Sequence, residues 1–310
     1  MRNEAALTGW LRRSALIPAR SELVHGIGDD CAIFRPRGSV EDLLFTTDLL
    51  IEDVHFTGRG YTPAQAGRKA LARSLSDIAA MGGTPRFCLV SLAVSEGAFG
   101  QKSSKWVPAF FRGLLRLAAE TGTVLAGGDL SHAEKVVCDV MVAGSVPRGE
   151  SICRDGARAG DEIYVSGFLG GSAHGLKTRQ GSAWRRHLKP EPRLSLGQFA
   201  REKLRATAAI DLSDGLSLDL RRLALESGLA AEISLPPIYP DATPDEALHG
   251  GEDYELLFTV KKGTRVPGEF QGLAITRIGT MTAKGSAGDV RLGDKKLKPL
   301  AYDHFARHAK

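Results

Sequence analysis

The chain lacks any apolar run approaching the roughly 18 residues of a membrane-spanning helix, which argues against a membrane protein. Only four cysteines occur, Cys31, Cys88, Cys138 and Cys153, and none form a Cys-x-x-Cys pair, so neither a zinc ribbon nor a disulfide framework is indicated. They read as buried thiols. No Gly-x-x-x-x-Gly-Lys-Ser/Thr is present, which excludes a P-loop. Gly26-Ile27-Gly28 lacks the third glycine of a dinucleotide fingerprint and feeds no clear helix, and there is no His-Glu-x-x-His. The eight histidines are isolated, a pattern that suits hydrogen bonding better than zinc. Long runs of one charge are missing too. The net charge is +5, yet Lys and Arg cluster only at Arg185-Arg186-His187 and Lys295-Lys296-Leu297-Lys298, which argues for a solvated face or a phosphate-attracting field and against nucleic acid. Residues 1–19 hold Arg2, Arg12 and Arg13 but no continuous apolar stretch of a signal peptide, so an amphipathic helix and a cytoplasmic location are expected.

At 310 residues the chain exceeds the length over which one hydrophobic core keeps growing, which points to two domains of roughly 150 residues. The stretch 147–160, with proline, three glycines and mixed charges, is the best linker, giving expected domains at 1–147 and 148–310. In the first, 43–47 reads as a buried strand with Asp48 at its C-terminal end. Thr62-Pro63 then opens a helix over 64–81 that Gly82-Gly83 stops. A strand over 87–94, a helix over 103–121 with Phe110, Phe111, Leu114 and Leu115 inward, and a strand over 123–126 ending at Gly127-Gly128-Asp129 follow, and 136–146 completes the domain. The second domain offers strands at 162–166, 208–212, 231–235, 255–260 and 274–280, a helix over 216–227 capped by Gly228, and a polar hairpin or loop over 281–297. This alternation specifies a mixed α/β (α+β) fold.

Within that frame, aspartates gather beside Gly, Ser and Thr in five remote places: Gly26-Ile27-Gly28-Asp29-Asp30, Thr46-Thr47-Asp48, Ser76-Asp77, Gly127-Gly128-Asp129 and Asp211-Leu212-Ser213-Asp214-Gly215. Any one of them serves equally well as a turn former or helix cap. Asp77 is less easily dismissed, because in the last turn of a helix the dipole disfavours a carboxylate by roughly 0.3–1 kcal/mol. Oxygen donors of this kind suit Mg2+. Two uncompensated carboxylates about 4 Å apart repel by about 4 kcal/mol at an effective dielectric near 20. Convergence of the five stretches would thus require cations, and the same cations would admit a nucleotide triphosphate.

These stretches, in this order, resemble those of the thiamine-monophosphate kinases, in the superfamily that includes aminoimidazole ribonucleotide synthetase and selenophosphate synthetase. The resemblance runs through Gly26-Ile-Gly-Asp-Asp-Cys-Ala32, Thr46-Thr-Asp48, His55-Phe56, Leu75-Ser-Asp-Ile-Ala-Ala-Met-Gly82, Gly127-Gly-Asp129, Ile210-Asp-Leu-Ser-Asp-Gly-Leu216, Gly250-Gly-Glu-Asp-Tyr-Glu-Leu256 and Tyr302-Asp-His-Phe305. It implies transfer of the ATP γ-phosphoryl group directly onto thiamine monophosphate. It also implies Mg2+ ions held by Asp30, Thr46, Thr47, Asp48, Asp77, Asp129, Asp211 and Asp214, with Asp48, Asp129 and Asp214 as catalytic members. Gly128, Asp129, Arg154 and Ser213 would contact ATP, and His55, Glu252 and Tyr302 would hold the thiamine moiety. The fold implied is an N-terminal α/β domain for nucleotide, metal and dimerisation, whose sheet forms a barrel with that of its partner in a homodimer, and a C-terminal α/β domain. Gly127-Gly-Asp-Leu-Ser131 departs from the Gly-Gly-Asp-Thr-Thr of the pattern, and the stretch 236–249 is compact.

Three other readings remain at this point. A superfamily member that uses ATP to activate an amide, a carbamoyl group or selenide would turn over ATP without forming thiamine diphosphate. A sensor would bind without turnover, and a plain α/β protein with Asp-rich turns would ignore magnesium.

Overall fold

The computed structural model describes residues 4–15, 17–18, 21–58, 60–95 and 105–300. Two sheets organise them. The first has the order β1-β2-β3-β6-β4-β5, formed by Leu23–His25 (β1), Ala32–Phe34 (β2), Glu41–Ile51 (β3), Thr84–Val94 (β4), Val124–His132 (β5) and Val137–Pro147 (β6). All neighbours are antiparallel except β4 and β5. Helices Pro63–Ala80 (α2) and Trp106–Thr121 (α3) cover one face, where Leu44, Leu50, Leu75, Ile78, Val90, Phe110, Leu114 and Val140 make the first core. Helix Glu4–Ser14 (α1) precedes them. Among the described residues no helix covers the opposite face, where Leu49, Phe87 and Val124 are exposed by 49%, 36% and 62%. This sheet is open, with β1 and β5 at its edges.

α2 starts where the sequence predicts, because Thr62 and Gln65 form a reciprocal capping box ahead of Pro63. It crosses α3 at a pair of glycines. A Cβ on Gly67 would lie 2.0 Å from the Phe110 carbonyl oxygen, and one on Gly113 would lie 1.8 Å from that of Ala64, so only glycine permits this approach. Three expectations need correction. Asp48 and Asp129 do not end their strands: β3 pairs with β6 through eleven consecutive positions out to Ile51, and β5 runs past Asp129 to His132. Leu115 is 45% exposed, since the inward stripe of α3 is Phe110, Leu114, Leu117 and Ala118, at helical spacing.

The second sheet has the order β14-β13-β9-β12-β7-β10-β8. Its strands are Glu162–Ser166 (β7), Ala208–Asp211 (β8), Ala230–Ile233 (β9), Leu256–Val260 (β10), Leu273–Thr282 (β12), Val290–Leu292 (β13) and Lys295–Lys296 (β14), with Glu269–Phe270 (β11) paired to β12. The segment 281–297 is thus partly the β13–β14 hairpin. Helices Gly171–Thr178 (α4), Gly181–Leu188 (α5), Leu194–Phe199 (α6), Leu216–Glu226 (α7) and Pro244–His249 (α8) accompany this sheet. A third core joins the halves: Ala79 and Ala80 of α2 pack with Leu196, Ala209, Leu256 and Phe258. α2 therefore belongs to both halves, and its last turn faces the end of β8. Among the described residues no helix is long and apolar enough to cross a membrane.

Candidate active site

The last turn of α2, the end of β8 and the loop before β2 meet at one point. Each delivers a carboxylate: Asp77, Asp211 and Asp30 have oxygens within 4.8 Å of one another. Arg154 donates from Nε to Asp30 Oδ2 at 3.2 Å and from a terminal nitrogen to Oδ1. Its backbone N–H donates to Asp29 at 3.0 Å. Asp77 and Asp211 have no such cation within ion-pairing distance among the described residues. They accept hydroxyl hydrogen bonds instead, Asp77 from Thr46 and Asp211 from Ser76 at 2.7 Å. Burial, then the charges of Asp48, Asp211 and Asp30, push the Asp77 carboxyl well above the usual range. Burial and Asp30 do the same to Asp211. Asp29, buried beside Asp30, is pushed up to about 7. A buried carboxylate, Asp211, and a partly buried one, Asp77, both answered only by hydroxyls, fit a hard cation that takes oxygen ligands.

This cluster borders a cavity of about 410 Å³ whose wall includes Asp48, His55, Asp77, Asp211, Ser213, Asp214 and Glu252. Ten of the residues singled out in the sequence therefore meet here, counting Asp30, Thr46 and Arg154 through their bonds to the cluster. The loop after β8 is held by Asp219, fully buried in α7, which accepts from the backbone N–H groups of Asp214 (3.0 Å) and Gly215 (2.9 Å). Arg222 donates to both Asp214 and Asp219. Across the cavity, Asp253 accepts from Gly170 N (2.6 Å) and Ser172 N (3.0 Å). Buried Glu255 is gripped by Arg193, Arg186 and Ser166, which fixes the turn carrying Glu252. His55 Nδ1 accepts from Ile51 N at 3.0 Å, which leaves its proton on Nε2.

Other candidates lie elsewhere. Thr47 alternates with Thr46 to the uncovered face of the sheet and donates to Asp139 at 2.5 Å. Gly128 and Asp129 lie in exposed β5, Asp129 opposite Ser91 of β4. A Cβ on Gly128 would sit 1.9 Å from the Val90 carbonyl oxygen at φ +148°, so this glycine serves close strand contact. Tyr302 lies outside the described residues.

Sequence reasoning missed Lys69 and Arg73. They stand eight and four residues before Asp77, which puts the three on one stripe of the helix, and that spacing was the available signal. Arg73 lies 3.4 Å from Asp48 and 4.0 Å from Glu252, and Lys69 donates to Glu252. His187 of α5 closes the same corner, 3.4 Å from Glu252, and burial with the charge of Lys69 pushes it down to about 4.

Comparison with known proteins adds to this geometry. Residues 28–146 match the family described as AIR synthase related protein, N-terminal domain, and residues 158–290 match its C-terminal domain. A thiamine-monophosphate kinase of Bacillus subtilis (strain 168) is 36% identical, covering 90% of this chain and 93% of its own. That of Aquifex aeolicus (strain VF5) is 34% identical, covering 90% and 92%. Among solved structures, AaThiL complexed with AMPPCP and TMP superposes with a TM-score of 0.83 at 31% identity, covering 97% of each chain. The hydrogenase maturation protein HypE in complex with ATP, at 17% identity and a TM-score of 0.70 over 88% of each chain, shares the fold.

Proposed function

This chain belongs to the thiamine-monophosphate kinase family of AIR synthase related proteins, and we propose that it transfers the γ-phosphoryl group of ATP onto the phosphate of thiamine monophosphate, giving thiamine diphosphate. The observation that carries this reading is the meeting of Asp30, Asp77 and Asp211 beside a cavity large enough for a substrate. The relative that holds AMPPCP and TMP supports the same pair of ligands here. Asp30, Thr46, Thr47, Asp48, Asp77, Asp129, Asp211 and Asp214 are the proposed Mg2+ ligands, with Asp48, Asp129 and Asp214 as catalytic members. Bound Mg2+ would neutralise charge on the transferring phosphoryl group.

The remaining work falls to the chain itself. Arg154, whose Nε and one terminal nitrogen are taken by Asp30, would turn its other terminal nitrogen to a phosphate oxygen, and Ser213, Gly128 and Asp129 would complete the ATP contacts. His55 and Glu252 hold the thiamine moiety, with Tyr302 as a stacking partner. The substrate phosphate is the nucleophile, so no strong general base is needed; positioning and charge neutralisation supply the rate. A homodimer belongs to the same proposal, because the uncovered face bearing Leu49, Phe87 and Val124 would be closed into a barrel by a second copy. Thr47 and Asp129 would then act near the subunit boundary. The proposed domains are 1–147 and 148–310, and the proposed location is the cytoplasm.

Incubation of the purified chain with ATP, MgCl2 and thiamine monophosphate should yield thiamine diphosphate by chromatography, and excess chelator should abolish it. ATP consumption without that product would sink the assignment. Phe87→Asp should halve the mass seen by sedimentation; an unchanged dimer would move the interface elsewhere.

A further inference from the structure

Lys69 in α2 is fully buried, 0% exposed. An ammonium removed from water is costly unless paired and hydrogen-bonded. Its Nζ lies 2.8 Å from Glu252 Oε1 and donates to Glu252 Oε2 at 2.9 Å, to Tyr61 Oη at 2.9 Å and to the His55 carbonyl at 3.1 Å. All three of its protons are committed. Glu252 meets it from the other half of the chain, on a turn where Glu252 and Tyr254 both take left-handed backbone, φ 64° and 49°. Such conformations persist in non-glycine residues only where the surroundings enforce them.

The neighbours of Glu252 settle its charge. Lys69 and Arg73 face it from α2, His187 from α5, and Tyr61 from the loop before α2. Arg73 is shared with Asp48, and His187, whose Nδ1 lies 2.8 Å from Ser172 Oγ, stays neutral near pH 7. The negative charge of Glu252 is therefore matched by Lys69 before any ligand arrives. A carboxylate accepts about four hydrogen bonds, and one lysine cannot fill them; Glu252 lines the cavity with 23% of its side chain accessible, and because Oε1 is shut from solvent the acceptor left for a ligand is Oε2.

We propose that Lys69 is a positioning residue that fixes Glu252 as a hydrogen-bond acceptor for the amino group on the pyrimidine of the substrate, and that Glu252 does not act as counter-charge to the thiazolium. The inference rests on the thiamine monophosphate reading above and names which end of that substrate the pair reads.

Two analogues separate the ends: the monophosphate with oxygen in place of the pyrimidine amino group, and the monophosphate with a neutral aromatic ring in place of the thiazolium. For the wild-type chain, kcat/KM should fall about 10- to 100-fold for the first, the worth of a hydrogen bond to a charged group, and less than about 3-fold for the second. Lys69→Met should raise KM for thiamine monophosphate about 10-fold or more while leaving KM for ATP within about 2-fold. That defect should shrink as pH rises, because a buried Glu252 without its ammonium holds a proton until higher pH. Lys69→Met with Glu252→Gln, which removes both members of the buried pair and leaves Arg73 to Asp48, should fold and show no such pH dependence. A greater loss for the neutral-ring analogue, or a Lys69→Met defect shared equally by both substrates and flat with pH, overturns the inference while the kinase reading stands. Absence of thiamine diphosphate from the wild-type chain overturns both.

Discussion

Replacing Asp211 by Asn tests the electrostatic basis of the site. Asparagine keeps the shape and the hydrogen bond from Ser76 but removes one charge from a group whose oxygens lie within 4.8 Å of those of Asp30 and Asp77. At that separation and an effective dielectric near 20, two unit charges repel by about 3.5 kcal/mol. Only part of this is recoverable, because Asp30 is offset by Arg154 and the carboxyls of Asp77 and Asp211 are both pushed toward the neutral form. A gain of roughly 1–3 kcal/mol remains, worth about 2–8 °C for a domain of this size. In chelator at pH 7, Asp211→Asn should therefore melt above the wild type. Adding MgCl2 should reverse the order, since the wild type gains stability by mass action and the variant loses a ligand. Product formation should fall at least about 100-fold, as when a group stabilising transition-state charge is lost. Thermal unfolding in both buffers, with thiamine diphosphate followed in parallel, reads all three effects. A variant that melts at or below wild type in chelator and keeps the full magnesium shift would refute the reasoning.

Gly67→Ala should cost about 2 kcal/mol or more, because the new Cβ would collide with the Phe110 carbonyl where the two helices cross; an unchanged denaturation midpoint would show that the crossing is looser than described. His187, 2% exposed and pushed down to about 4 from 6.5 by burial and Lys69, takes up its proton more readily when unfolded. Its contribution is complete above pH 6.5 and lost as pH falls toward 4, about 3 kcal/mol in all. His187→Gln should flatten the stability profile in that window, and an identical slope in the variant would place the dependence on other groups.

Much of this was legible in local chemistry. The start of α2 is written in Thr62 and Pro63, and its stop in Gly82-Gly83, because caps depend on a few adjacent residues. The hard-oxygen character of the site could likewise be read from the company its aspartates keep. Strand ends could not, because β3 and β5 are as long as β6 and β4 allow, and those partners are remote in sequence. Nor could the division between Thr46, which bonds Asp77, and Thr47, which turns to the bare face, since a period of two fixes opposition but not which side is inward. Lys69 escaped notice because a lysine within a helix is ordinarily assigned to solvent.

The last turn of α2 lends Ala79 and Ala80 to the core under the second sheet. Cutting the backbone between the halves would consequently not liberate two self-sufficient modules. The N-terminal fragment would carry a bare oily helix end that only its lost counterpart can cover, and mixing the fragments should rebuild the fold in the manner of a split protein.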